Sequence, residues 1–335
     1  MSAEIQVVVP YGEANPSVRT RAVHWLRRLA GERGCEITDF AVVDGPGFAG
    51  SAAPSPIPTL VVRNAHRFSR GGRERRLLSA GQPGVYDLDD GLPWDDGNLP
   101  GLGRWWKRPW PRSLIAERCA NAADRIMVGN EVLADWAAER CTDVRVIPTC
   151  VEPDDYDRKQ HYSTAEASVL GWVGTPATEP YLSAIAPALA QVHARTGARV
   201  AMISGPGEVP PALAGFTDRV AWSEATVRHA LATWDVGLMP LTDGVYERAK
   251  CGYKLLQYGS AALPAIGSPV GVNARLLAAM DAPAPSTIDE WVDALCGMLA
   301  EPSSRRRERG QAARTVAEQH AYAVWESRWR QAVGL

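Results

Sequence analysis

Within the stretch 247-ERAKCGYKLLQYGSAALPAIGSPVGVN-273, Glu247, Arg248, Lys250 and Lys254 fall inside eight residues, and the chain then turns small and apolar. Cations placed at the start of a buried helix call for an anion. Lys250 and Lys254 are four apart and share one face if a single helix carries both. Gly252 between them lets a ligand approach the backbone closely. A helix beginning there adds the positive end of its dipole. Ammonium groups combined with helix-terminal amides suit a diphosphate. The bland alternative is a solvated basic helix start.

A second candidate is 171-GWVGTPATEPYL-182, where a strand ends at Gly174, Thr175 follows and a helix starts soon after. Such a turn can present N–H groups to an anion; it can equally be an ordinary helix cap made by Thr175 or Thr178. Gly12 lies in the analogous loop after the first strand. The acidic run 86-YDLDDGLPWDDG-97 places Asp87, Asp89 and Asp90 after a strand. These carboxylates can hold a metal, act as a base or accept hydrogen bonds from hydroxyls, although an aspartate-rich turn looks the same. The run 63-RNAHRFSRGGRERR-76 reads as a solvated loop or as a docking surface for an anionic acceptor. His66, Arg19 and Arg21 follow strands or their loops and are candidate polar contacts. No P-loop, nucleophile elbow or complete G-x-G-x-x-G is present, which argues against kinase, hydrolase and dehydrogenase chemistry.

The elements that must position these residues alternate. Strands are predicted at 5–10, 36–43, 58–64, 84–86 and 124–129, and 144–156 as a strand running into a crossover, with helices at 21–33, 112–123 and 131–141. A proline-marked crossover near 150 separates this half from a second series: strands at 168–174, 198–205, 235–241 and 264–268, and helices from Glu179 and at 253–261, 287–300, 305–320 and 323–333. This is the pattern of two parallel-sheet α/β units. Ligands of such sheets bind beyond the carboxyl ends of the strands, so the glycine loops are expected to face a cleft. The boundaries give residues 1–150, 151–320 and a terminal segment 321–335.

At 335 residues the chain is long enough for two cores. Its apolar share of 46%, charged share of 22% and net charge of −2 describe a globular chain with no bulk attraction to nucleic acid or acidic membranes. The longest apolar runs are strand length, no leader-like segment opens the chain, and a cytoplasmic protein is expected. The six cysteines form no C-x-x-C pair and read as reduced thiols, not as a zinc site.

The string 245-VYERAKCGYKLLQYGSAALPAIGSPVGVN-273 resembles glycosyltransferase family 4, retaining enzymes of the GT-B fold. It is most similar to a bacterial subgroup carrying an E-R-x-K-C-G-Y-K-L-x-Q-Y string. The stretches 171-GWVGTPATEPYL-182, 86-YDLDD-90 and 235-DVGLMPL-241 resemble that subgroup in the same order. The resemblance implies two Rossmann-like domains facing across a cleft, with the C-terminal helix crossing back to the first. It implies transfer of a sugar from a nucleoside-diphosphate donor, held by the second domain, to an acceptor held by the first.

On this resemblance Lys254 and Lys250 are the expected catalytic cations. Gly12, Gly174, Thr175, Glu247, Gly252, Tyr253 and Gln257 would bind donor, and Arg19, Arg21, His66, Asp89 and Asp90 acceptor. The family's two glutamates, separated by seven residues, fall on Ala249 and Gln257. Gln257 can still hydrogen-bond a ribose; Ala249 cannot contact a sugar hydroxyl, and Glu247 is the expected substitute. The family's Arg and Lys after the first strand of the second domain are absent from 174-GTPATEP-180, which shifts anion binding onto Lys250 and Lys254. Retention implies front-face attack, with no metal or cofactor. Expected partners are the nucleotide sugar and a small soluble acceptor, as in specialised metabolism, without nucleic acid or integral membrane contact, the protein being a monomer or homodimer. A non-catalytic nucleotide-sugar-binding subunit and a nucleotide-sugar epimerase on the same fold are the alternatives.

Overall fold

The computed structural model describes residues 5–9, 15–31, 39–42, 56–64, 70–95, 111–163 and 168–335. The chain divides into two compact units. The first comprises 1–150, 245–251 and 322–335, and the second 151–244 and 252–321.

The first unit is built on β1 (Gln6–Val9), β2 (Asp39–Val42), β3 (Thr59–Val62), β4 (Gly84–Leu88), β5 (Arg125–Val128) and β6 (Val144–Val146), all parallel in the order β2-β1-β3-β4-β5-β6. β1, β3 and β4 are buried along their whole length, as expected where helices cover both faces of a parallel sheet. The C-terminal helix Tyr322–Val333 belongs to this unit: Trp329 stacks on Trp25 at 5.1 Å and Tyr322 meets the same indole edge-on at 4.7 Å.

The second unit holds β7 (Val169–Val173), β8 (Arg199–Ser204), β9 (Thr217–Ala221), β10 (Val236–Met239) and β11 (Ala265–Gly267), parallel in the order β11-β10-β7-β8-β9. The order reverses beside β1 in the first sheet and between β7 and β10 in the second, and ligands of open α/β sheets settle at such reversals. The helix Tyr253–Ser260 follows β10 and returns to β11, so its N-terminus lies on the side of the strands' carboxyl ends. Arg314 donates to Ser260 O at 2.6 Å, placing a cation at the helix's negative end.

Several elements differ from the sequence expectation. The first helix begins at Pro16, not at 21, because Asn15 caps it and proline suits its first turn. Residues Gly72–Ala80 are helical, so the arginine run is not a loop throughout. The helix from Glu179 is two, Glu179–Ala184 and Ala186–Thr196, broken at Ile185. β9 and the helices Glu224–Ala230 and Val272–Ala279 were not anticipated. Residues Val245–Cys251, expected within the second domain, belong to the first unit.

Candidate functional site

The lysine-bearing stretch is divided between the two units. Val245–Arg248 is a short helix, and Gly252 takes a left-handed φ of 66° before the helix Tyr253–Ser260 starts. Lys250 and Lys254 therefore do not share a helical face, a correction that follows because Lys250 lies between the two helices.

Lys250 meets an anion of its own chain. Its Nζ lies 3.2 Å from Asp90 Oδ1 and 4.6 Å from the centroid of the Tyr246 ring. Asp90 also accepts from Tyr246 Oη at 3.0 Å and from the Gly91 N–H at 2.9 Å, and Arg63 Nη1 stands 3.5 Å away. Burial pushes this carboxyl up, but Lys250, Arg63 and the Gly91 amide together hold it well below the usual carboxylate range. Asn130 adds a second tie, donating to Ala249 O at 2.7 Å while capping the helix Glu131–Ala138 through Leu133 N–H. Lys250 thus ties Val245–Cys251 to the first unit.

Arg21 is likewise corrected. It is buried at 1% exposure, its Nε 3.0 and 3.1 Å from the Asp87 carboxylate and its Nη1 donating to Ile147 O and Pro148 O. This guanidinium is enclosed by acceptors and cannot reach an acceptor substrate. Burial pushes the Asp87 carboxyl up to about 6, opposed by Arg21, while Arg21 itself is held firmly charged. The bidentate geometry favours the ionised pair, since a guanidinium surrounded by four acceptors needs a carboxylate. Arg19 is buried in the same helix. Asp89 and Asp90 follow β4, where Asp89 Oδ1 lies 3.4 Å from Arg63 Nη1. Arg63 itself follows β3 at a φ of 64°, unusual for a non-glycine residue and of the kind that gathers at functional sites. Gly12 and His66 lie outside the described residues.

The second unit collects the remaining candidates at the β7/β10 reversal. Lys254, in the first turn of the helix Tyr253–Ser260, holds Nζ 5.6 Å from the centroid of Trp172 on β7. Gly174 follows β7; a side chain there would collide with Trp172 and reach within 2.7 Å of Thr178 Oγ1. Its N–H is committed to Ile203 O and that of Thr175 to Thr178 Oγ1, closing a capping box. These two amides therefore serve the local turn, the capping alternative, and not an anion. Gly252 carries the helix start: its φ is left-handed, and a Cβ would stand 2.6 Å from Leu276 Cδ1.

One turn further along, buried Gln257 donates from Nε2 to Tyr156 Oη at 3.2 Å. Burial pushes the Tyr156 phenol up, against its hydrogen bonds with Gln257 and Tyr253. The three side chains form one cluster beneath the helix N-terminus. Ala249 is 0% exposed in the first unit's core, and Glu247 is half-buried on the helix Val245–Arg248. Tyr156, Trp172, Tyr246 and Asn130 were missed because each acts through a partner distant in sequence. Among the described residues no cluster of three or more His, Cys, Asp or Glu side chains is arranged to hold a metal ion, and no helix is long and apolar enough to cross a membrane.

No family model matches the sequence, and no curated protein does. Solved structures do match. The Anabaena protein HepE, solved with UDP and glucose, superposes with a TM-score of 0.69 at 13% identity, over 99% of each chain. Sucrose-phosphate synthase from Thermosynechococcus elongatus gives 0.68 at 10% identity over 98% of each chain. WaaG, a glycosyltransferase of lipopolysaccharide biosynthesis, gives 0.61 at 13% identity over 100% of each. The class defined is the fold: an α/β chain of two parallel-sheet units, the GT-B architecture of glycosyltransferases.

Proposed function

We propose that this chain is a retaining glycosyltransferase that moves a sugar from a nucleoside-diphosphate donor to a small soluble acceptor of the specialised-metabolite kind. The observation that carries this reading is the pairing of Lys254 with the helix start at Gly252, at the β7/β10 reversal of the second sheet. The full-length fold likeness to glycosyltransferases, one of them solved with UDP and glucose, supports it.

In this account the donor's diphosphate lies at the N-terminus of the helix Tyr253–Ser260, with Lys254 as its cation. Gln257 and Tyr253, joined through Tyr156, bind the ribose side. The bond from the anomeric carbon to the diphosphate oxygen breaks and its electron pair stays on the diphosphate. The acceptor's nucleophilic atom, oxygen, nitrogen or sulfur, attacks the same face, and its proton passes to the departing phosphate oxygen. Preorganised donors at that oxygen lower the barrier, one being worth about 3 kcal/mol. On the first unit, Asp89, which follows β4, is the candidate contact for acceptor hydroxyls. Lys250 and Asp90 hold the segment that leads to the donor helix.

A second reading has one observation in its favour. The position where the resembled family carries its first glutamate is Ala249, fully buried in an apolar core. A subunit that binds nucleotide sugar without turning it over would tolerate that. Mass spectrometry of UDP-, GDP- and dTDP-sugars incubated with an acceptor panel separates the two. Acceptor-dependent loss of donor supports the transferase, donor bound but never consumed supports the binding subunit, and acceptor-independent conversion would mark an epimerase.

A further inference from the structure

Asn273 is 0% exposed, and among the described residues neither its Nδ2 nor its Oδ1 has a hydrogen-bond partner. A buried carboxamide left unpaired is a cost to the fold that a leucine would not incur. Besides Asn273, the side chains that would meet a Cβ on Gly252 are Val272 and Leu276, both apolar.

Asn273 belongs to the first turn of the helix Val272–Ala279, which starts at Gly271 with a φ of 55° and no side-chain cap. The helix Tyr253–Ser260 starts in the same manner, at left-handed Gly252 with no side-chain cap. The two starts adjoin: a Cβ built on Gly252 would stand 3.2 Å from Asn273 Oδ1 and 3.3 Å from Val272 Cγ1. The unsatisfied carboxamide thus abuts the glycine that opens the helix bearing Lys254.

We propose that Asn273 is a positioning residue for the donor diphosphate, an inference that rests on the donor site placed at that helix start. It does not touch the anion. When the diphosphate draws on the first-turn amides, Oδ1 accepts a backbone N–H of the Gly252–Tyr253 turn and fixes that turn in its binding geometry. The side chain then gains in the bound state the hydrogen bond it lacks otherwise. A residue arranged in this way sets donor affinity at the expense of resting stability, the trade common at binding sites.

Opposite signs in two measurements test this. Asn273→Leu is expected to raise the melting temperature of the protein alone. The same substitution weakens binding of inorganic pyrophosphate and of UDP, read by calorimetry, about fivefold, the equivalent of one neutral hydrogen bond. Asn273→Ala, which relieves the buried amide without adding volume, provides the same affinity comparison should the leucine not fit. Pyrophosphate binding within twofold of wild type in either folded variant overturns the role of Asn273 while leaving the donor site standing. Wild-type protein that binds neither pyrophosphate nor UDP overturns the donor site, and this inference with it.

Discussion

The Lys250 ammonium lies 3.2 Å from the Asp90 carboxylate inside the first unit, while Lys254, four residues on, belongs to the second. Two lysines that look equivalent in sequence thus have different tasks. One tethers a segment; the other stands at a helix start beside Trp172.

Separating the two by mutation is direct. Lys250→Ala leaves Asp90 with less compensation at 20% exposure and is expected to cost about 1–3 kcal/mol of stability by chemical denaturation. The double substitution with Asp90→Asn recovers part of that loss, a positive coupling in the double-mutant cycle. Strict additivity of the two single losses would remove the tether.

Acid sensitivity follows from the same carboxylate. The folded Asp90 titrates below its unfolded value of about 3.9, so its stabilisation is complete above that pH and is lost as pH falls further. Glu179, lowered by Arg219 and Ser204 hydrogen bonds that outweigh its burial, acts in the same direction. The contribution of these two carboxylates to the denaturation midpoint, read for Asp90 as the difference between wild type and Asp90→Asn, should be constant from pH 7 to about 5 and fall below about 4. Asp90→Asn should lower the plateau and flatten the fall; an unchanged profile would contradict the shift.

Arg21 offers a test of a buried ion pair. Arg21→Ala strands the Asp87 carboxylate at 0% exposure, and a loss of about 3–5 kcal/mol is expected, enough to abolish soluble expression in a marginal host. A variant with wild-type stability would show that Asp87 is neutral in the fold.

Much of this architecture was legible because strands buried on both faces read as apolar runs: 5-IQVVVP-10 and 168-SVLGWVG-174 needed no tertiary information. β9 was not, since Thr217, Asp218 and Arg219 sit on an edge strand whose residues are all half-buried or exposed, which removes the alternation a reader looks for. The helix Val272–Ala279 did carry a signal, with Val272, Leu276 and Leu277 at helical spacing after Gly271, masked by its small-residue context. At the site, the sequence marked Gly252 and Lys254 by type and spacing. It could not show that Lys250 falls between two helices ahead of a left-handed Gly252, that Asp90 meets Lys250, or that Gly174 and Thr175 spend their amides locally. Those are long-range or conformational facts, invisible to composition and periodicity.

The central claim is that the second unit binds a donor diphosphate at the helix start next to Lys254. Calorimetric titration of wild type and Lys254→Ala with UDP, GDP and dTDP measures it most directly. At least one nucleoside diphosphate should bind the wild type, and Lys254→Ala, compared as a folded variant, should weaken it at least about tenfold, the worth of one charge-assisted contact. No binding by any of the three, or equal affinity in the folded Lys254→Ala variant, would contradict the account.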